Sequence, residues 1–352
     1  MTVARLERLR LLAETTACIL ISNAINIRYL SGYSGSNGLL LCTRDAAYLI
    51  TDARYEIQCS QECFDVEVVI AKTGLLDQAL RIVDCNELTI EADHMSVATR
   101  EQITAVRPDL HLTNSNGLVE KLRVIKDAVE IAKISKACSI ATAALEQLTA
   151  YLRPGLSERE IAQHLEYTMG QLGADDKAFD TIVATGSNTA IPHHQPTGRI
   201  VESGDLVKID FGAKLDGYHS DCTRMFVAGP ATQWQVELHD IVRECQEKAR
   251  DALHSGVLAA QVDRVARDIM LRHGKAHLFT HGLGHGVGLE IHEDPYFTSQ
   301  PTTTIEKSTV VTVEPGAYIP NQGGVRIEDT VVVTEVGYEN LTNFTYDLIT
   351  IG

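Results

Sequence analysis

Ile209-Asp210-Phe211-Gly212-Ala213-Lys214-Leu215-Asp216-Gly217-Tyr218-His219-Ser220-Asp221 is the stretch around which the chain is organised. Asp216-Gly217 lies between two extended-looking runs. Such a pair signals a two-residue hairpin turn with positive φ at both turn positions. Counting outward, Leu215 pairs with Tyr218, Ala213 with Ser220 and Gly212 with Asp221. Asp210 lies two residues from Gly212, and side chains alternate along a strand. Asp210 and Asp221 therefore share a face as diagonal neighbours, roughly 7–8 Å apart at the backbone. Carboxylates converging from that separation can hold a pair of metal ions about 3.5–4 Å apart. The plainer alternative is two surface aspartates on an exposed hairpin.

The chain has 352 residues, which suggests two domains, each long enough to bury a core. Its 44% hydrophobic and 22% charged residues place it among ordinary globular proteins. A formal net charge of −16 argues against nucleic acid and against anionic membrane surfaces as partners. No apolar run approaches the ~18–20 residues of a membrane span. Ala17–Ile21 is too short for a signal-peptide core, so a cytoplasmic location is expected. The eight cysteines form no CxxC. Cys59 and Cys63 stand four apart with no second pair to complete a zinc site, so the cysteines read as reduced, buried apolar residues.

Leu6, Leu9 and Leu12 mark a helix over 3–16. Strands are expected at Cys18–Ile21, Leu39–Cys42, Ala47–Thr51 and Val66–Ile70, and helices at Leu75–Val83 and Ser96–Val106. The Gly-rich residues 32–38 lack the Lys-Ser/Thr ending of a phosphate-binding loop and read as a turn between strands. Asp127 with Glu130, and Ser157 with Glu160, form capping boxes that open helices running to about Leu152 and Gly173. The domain boundary falls near residue 120, dividing 1–120 from 121–352. In the second part Thr181–Ala184, Val310–Glu314 and Gly324–Val333 read as strands. Trp234–Ser255 and Val262–His273 read as helices. Long helices with mostly antiparallel strands make an α+β layer structure.

Three more segments carry chemistry. His281-Gly282-Leu283-Gly284-His285-Gly286-Val287-Gly288-Leu289-Glu290-Ile291-His292 sets three histidines among four glycines. It lacks the acidic residue and βαβ context of a dinucleotide loop, and His292-Glu293 does not extend to HExxH. In Val310–Glu314, alternation turns Val311 and Val313 to the core and Glu314 the other way. In Val325–Asp329 it leaves Arg326 and Glu328 together on a polar face. Asp210, Asp221, Glu314 and Glu328 bring four negative charges, which two divalent cations would balance. Oxygen donors with one imidazole suit Mn²⁺, Co²⁺ or Zn²⁺. Spacing alone does not join Glu314, Glu328 and His285 to the aspartate pair; separate surfaces stay open as the alternative.

Together these segments resemble the metallopeptidases of the pita-bread fold, the group holding methionine aminopeptidase, aminopeptidase P and prolidase. Asp210-Phe211-Gly212, Ser220-Asp221-Cys222-Thr223-Arg224, Gly284-His285-Gly286, Val313-Glu314-Pro315-Gly316 and Arg326-Ile327-Glu328-Asp329 match its five-ligand pattern in order. The resemblance implies that Asp210 chelates one metal, that His285 and Glu314 complete the other, and that Asp221 and Glu328 bridge both. Mn²⁺ is the first expectation for the two ions, with Co²⁺ or Zn²⁺ next. Residues 26–38 and Leu122–Asp127 are similar to a creatinase/prolidase-type N-terminal domain, which methionine aminopeptidases lack. That points to the proline-specific branch, as a homodimer acting on short proline-containing peptides. There His193 and His292 resemble substrate-side histidines, His281 a proton-handling residue and Arg326 a brace. Glu314 would also shuttle the proton to the departing proline nitrogen.

Some prolidases place an Arg four residues after the histidine matching His292; here Tyr296 stands there. The expectation is therefore an Xaa-Pro aminopeptidase, with an Xaa-Pro dipeptidase (prolidase) as the alternative. A creatinase-like hydrolase, which works without metal, and a non-catalytic binding module both sit poorly with a complete ligand set.

Overall fold

The computed structural model describes residues 2–13, 18–298 and 303–352. The chain divides into two compact units, Met1–Arg123 and Val124–Gly352. No helix among the described residues is long and apolar enough to cross a membrane.

The first unit is built on a six-stranded sheet. Its strands lie in the order Glu67–Ile70, Ala47–Thr51, Leu39–Thr43, Cys18–Ile21, Glu87–Glu91 and His111–Ser115. Pairing is antiparallel through the three strands from Ala47–Thr51 to Cys18–Ile21 and parallel at both flanks. Leu20, Leu41, Ile50, Leu88 and Ile90 form its core with Leu80 and Ile103 from the covering helices. The helix expected over 3–16 runs Thr2–Leu12, and residues 14–16 of that expectation, like Ala17, lie outside the described residues. Residues 32–38 do not join two strands. They follow a helix, Ala24–Ser31, capped by Asn23 and closed by Gly32 at φ 84°. Five of its eight residues are buried, so it shows no one-sided apolar period to read.

In the second unit, Ala128–Tyr151 and Glu158–Gln171 each begin with a complete capping box. Leu145, Leu148, Ile161 and Leu165 of this pair pack on Val207, Ile209, Phe211 and Phe226. Those four belong to the sheet Ile182–Thr185, Leu206–Phe211, Cys222–Ala228 and Ile349–Ile351. A second helix pair, Gln233–Asp251 and Ala259–Arg272, packs Leu238, Val242, Val262 and Ile269 against Val311, Val313, Val325, Ile327 and Val331. Each pair thus covers sheet on one side, leaving the opposite faces free to carry polar groups.

The Asp216-Gly217 turn has φ of 49° and 81°, as a two-residue hairpin requires. Leu215 pairs with Tyr218 and Asp210 lies opposite Thr223, which puts Asp221 on the diagonal. This ribbon is not an exposed hairpin: Asp210 is 6% and Asp221 5% accessible. The single strand expected over Gly324–Val333 is two strands, Gly323–Arg326 and Asp329–Val333, which belong to different sheets. Ile327 and Glu328 make the crossing, where the Glu328 N–H donates to the Thr223 carbonyl at 3.2 Å. Val325 and Ile327 still face the core, so the alternation survives the break.

The strand bearing His285 lies tight against its neighbour. A Cβ at Gly284 would collide with the Thr312 carbonyl oxygen, which is backbone and cannot swing away. Gly284→Ala is expected to lose about 1–3 kcal/mol of stability in chemical denaturation, the usual cost of overpacking. An unchanged unfolding midpoint would contradict this packing.

Candidate metal centre

Five strand ends deliver the donors. Asp210 is carried by Leu206–Phe211 and His285 by Gly284–Gly286. Asp221 immediately precedes Cys222–Ala228, and Glu314 immediately follows Val310–Val313. Glu328 sits at the sheet crossing. All five line one cleft together with His193, His292 and Arg326. Donor atoms of Asp221, His285 and Glu328 lie within 4.8 Å of one another. His285 Nε2 is 3.6 Å from Asp221 Oδ2 and 3.4 Å from Glu314 Oε1. The acids therefore do not lie on separate surfaces.

Like charges in a dry pocket resist ionisation. Burial, then the neighbouring Glu328, Asp210 and Glu314, pushes the Asp221 carboxyl well above its usual range. Burial with Glu314 and Asp210 does the same to Glu328. Burial pushes Glu314 up to about 8. Asp210 gives one oxygen to the Arg326 guanidinium; its Oδ1 is buried with no hydrogen-bond partner. The His285 ring is poised as a donor. Its Nδ1 is 3.0 Å from the Gly286 carbonyl, so Nδ1 carries the proton and Nε2 presents a lone pair. Burial pushes this imidazole down to about 4, which keeps it neutral. An orphaned carboxylate oxygen, reluctant acids and a neutral imidazole nitrogen at one point fit divalent cations with oxygen-rich coordination.

Supporting contacts fix these groups. Thr223 Oγ1 donates to Glu328 at 2.7 Å, and Thr312 Oγ1 donates to Glu314 at 3.4 Å. Behind Glu328, Asp329 accepts from Arg224 at 2.8 Å and from Gln246 at 2.7 Å. Burial alone would raise Asp329, yet Arg224 and Arg250 hold its carboxyl below the usual range. Arg326 is buried and also donates to the Tyr318 hydroxyl at 2.8 Å and the Pro192 carbonyl at 3.2 Å. Tyr318 Oη lies 3.0 Å from His281 Nε2, while His281 Nδ1 faces the Gly282 carbonyl at 2.7 Å. Both His281 nitrogens are thus engaged, and burial, aided by Arg326, pushes the ring down to about 4. Thr223 and Arg224 fall within a segment that carries the family resemblance, whereas Tyr318 and Thr312 carry no signal in the sequence that separates them from ordinary strand residues.

The exposed His193 and His292 stand at the mouth. The His292 and His285 rings meet edge to face at 4.3 Å. On one side the cleft is walled by Phe179, Ile182 and Ile291. On the other it runs past His281, Tyr296, Phe297 and Thr298. Among the described residues, Arg326 is the only lysine or arginine lining either side.

Residues 132–335 match metallopeptidase family M24, and residues 5–125 match the creatinase/prolidase N-terminal domain. The chain is 35% identical to the Xaa-Pro dipeptidase of Pyrococcus furiosus over 94% of both proteins. Its structure is similar to that of an Xaa-Pro dipeptidase from Bacillus anthracis, with a TM-score of 0.96 and 36% identity across the whole of both chains. An X-Pro aminopeptidase from Thermotoga maritima is also similar, at a TM-score of 0.92 and 35% identity, covering 98% of this chain and 100% of that one. A family match over more than half the chain and full-length structural agreement lead to one conclusion: the chain belongs to metallopeptidase family M24, its pita-bread domain following a creatinase/prolidase-type N-terminal domain in the sequence.

Proposed function

We propose that this chain hydrolyses the peptide bond before proline, acting as an Xaa-Pro dipeptidase. The observation that carries the reading is the convergence of Asp210, Asp221, His285, Glu314 and Glu328 in one buried cleft. These residues would hold two divalent cations, Mn²⁺ first by the hardness of the donor set. Bound there, the cations supply Lewis acidity and an activated water at neutral pH. The domains on either side of residue 120 carry the same proposal: the catalytic residues all lie in 121–352.

The chain's own groups do the rest. His193 and His292, at the mouth, orient the carbonyl before proline and donate to its oxygen as charge develops. Glu314 is partly open to the cleft, where its carboxylate would take a proton and return it to the proline nitrogen. Arg326 holds Asp210 in place, and the hydroxyl of Tyr318 links it to His281. An imide bond has no N–H and restricts the residue before it, so a dedicated cleft is needed to accept it.

The Xaa-Pro dipeptidases among the relatives support the dipeptidase reading. Tyr296 favours a second one, an Xaa-Pro aminopeptidase, because among the described residues lining the cleft the one lysine or arginine is Arg326, already engaged with Asp210 rather than placed to grip a dipeptide's carboxylate. Kinetics on Xaa-Pro and Xaa-Pro-Yaa peptides decide: turnover of Xaa-Pro with little on the tripeptide is expected. The reverse preference supports the aminopeptidase, and no cleavage of either contradicts both.

Asp221→Asn is expected to abolish turnover and lower metal content together. His292→Ala is expected to keep the metal and slow turnover by roughly 100- to 1,000-fold, the scale of a lost oxyanion donor. Metal loss in His292→Ala would overturn its place at the substrate.

The metal-stripped protein should show the strain of the acid cluster. Asp221, Glu314 and Glu328 keep protons in the folded state that the unfolded chain gives up near pH 4 to 4.5. The folded state thus binds more protons, and stability falls as pH rises towards about 8. His281 and His285 act oppositely, but only between about 4 and their ordinary 6.5. Above 6.5 the three acids outnumber the buried group that acts oppositely, Lys208, whose ammonium form burial disfavours, so the melting temperature of stripped protein should fall between pH 6.5 and 8 and added Mn²⁺ should remove the fall. A flat profile would contradict the clustering.

A further inference from the structure

Glu158 is completely buried, and no role in the cleft requires it. It opens the helix Glu158–Gln171, directly after the capping residue Ser157. Its carboxylate collects donors from two separate segments, 185–188 and 194–197. Oε1 accepts from the Thr185 N–H at 2.9 Å, the Thr185 hydroxyl at 3.1 Å and Asn188 Nδ2 at 2.8 Å. Oε2 accepts from the Thr197 N–H at 2.9 Å and hydroxyl at 2.6 Å, and lies 2.8 Å from His194 Nε2. Burial alone would raise this carboxyl, but the bonds from Thr197, Asn188 and His194 hold it down at about 2. It is therefore a fixed anion, satisfied on both oxygens, at the N-terminus of a helix that favours negative charge.

The segment held this way is the loop that presents His193. His194, the next residue, and Thr197 are tied to Glu158, so the loop is gripped immediately after His193. On the other side of His193 the loop is gripped by two basic side chains, Lys208 and Arg326. Lys208 Nζ donates to the Ile191 carbonyl at 2.7 Å and the Pro192 carbonyl at 3.2 Å, and Arg326 Nη1 donates to the same Pro192 carbonyl at 3.2 Å. His193 itself is exposed and lines both sides of the cleft. The hexapeptide Pro192–Thr197 thus has its two ends pinned, by Lys208 and Arg326 before His193 and by the Glu158 carboxylate after it, with one imidazole left projecting between them.

We infer that Glu158 is a positioning residue: its carboxylate anchors the 192–197 loop and so sets where the His193 imidazole stands in the cleft. His194 belongs to this anchor and not to the substrate surface. The inference extends the proposed peptidase reading, since it assigns His193 a substrate-facing place, but the anchor itself is a property of the chain.

Glu158→Gln keeps the shape and turns one acceptor oxygen into a donor facing other donors. Thr197→Val removes a single donor at constant volume and serves if Glu158→Gln folds poorly. Both are read in two ways. In metal-free protein carrying ¹³C-labelled histidine, the His193 Cε1–H signal, assigned by its loss in His193→Ala, should shift or broaden in both variants. The signals of His254 and His273, both exposed just past the C-terminal ends of the other helix pair, should not move. In metal-loaded enzyme, Glu158→Gln should lower kcat/KM on an Xaa-Pro peptide roughly 10- to 100-fold, the scale of a misplaced group, with metal content unchanged. Adding His193→Ala should then cost little more, because both changes remove the same interaction. An unmoved His193 signal in both variants overturns the inference, as do fully multiplicative losses in the double variant. Absence of any Xaa-Pro turnover in the unaltered enzyme would instead sink the peptidase reading, leaving the His193 signal to judge Glu158.

Discussion

Mutual repulsion of buried carboxylates is the constraint on which the second unit depends. Asp210, Asp221, Glu314 and Glu328 share one cleft with a single guanidinium, Arg326. One positive charge does not offset four negative ones, and the result is visible in the acids that keep their protons and in the orphaned Asp210 oxygen. A fold holds such a cluster only if its backbone is fixed by groups that are themselves satisfied. Asp329, saturated by Arg224, Arg250, Gln246, Thr342 and Tyr346, does this behind Glu328. Glu158 does it behind the His193 loop. Both are buried anions with enough donors to remain charged, in contrast to the acids in the cleft, which lack them.

The sheets explain how residues more than a hundred positions apart meet. Two helix pairs each cover sheet with apolar side chains, and the uncovered polar faces contribute the cleft. The chain passes between sheets at Ile327-Glu328, and the donor that must reach both the ribbon and the five-stranded sheet sits at that crossing. Tight glycines let the strands approach: at Gly212 a Cβ would collide with the Ser220 carbonyl, and at Gly284 with that of Thr312.

Local patterns in the sequence expose much of this. Asp216-Gly217 dictates its turn, and the turn dictates that Asp210 and Asp221 share a face. Alternation alone turns Glu314, Arg326 and Glu328 away from the core. Capping boxes at Asp127 and Ser157 mark two helix starts to the residue. What local patterns leave out is anything set by a distant partner. The helix Ala24–Ser31 is too short and too buried to show a period. The break in Gly324–Val333 arises because its halves pair with different strands. Tyr318, Lys208 and Glu158 look like ordinary strand and helix residues until the loop on either side of His193 and the Arg326 side chain come to meet them. Joining His285 and the two glutamates to the aspartate pair likewise needed either the family resemblance or the coordinates.

Anomalous scattering from crystals grown with Mn²⁺ tests the centre most directly. Two peaks per chain are expected in the cleft, both touched by Asp221 and Glu328, one also by Asp210 and the other by His285 and Glu314. No peak there, or peaks that leave Asp221 and Glu328 untouched, would contradict the assignment of these acids as a shared bed for paired cations.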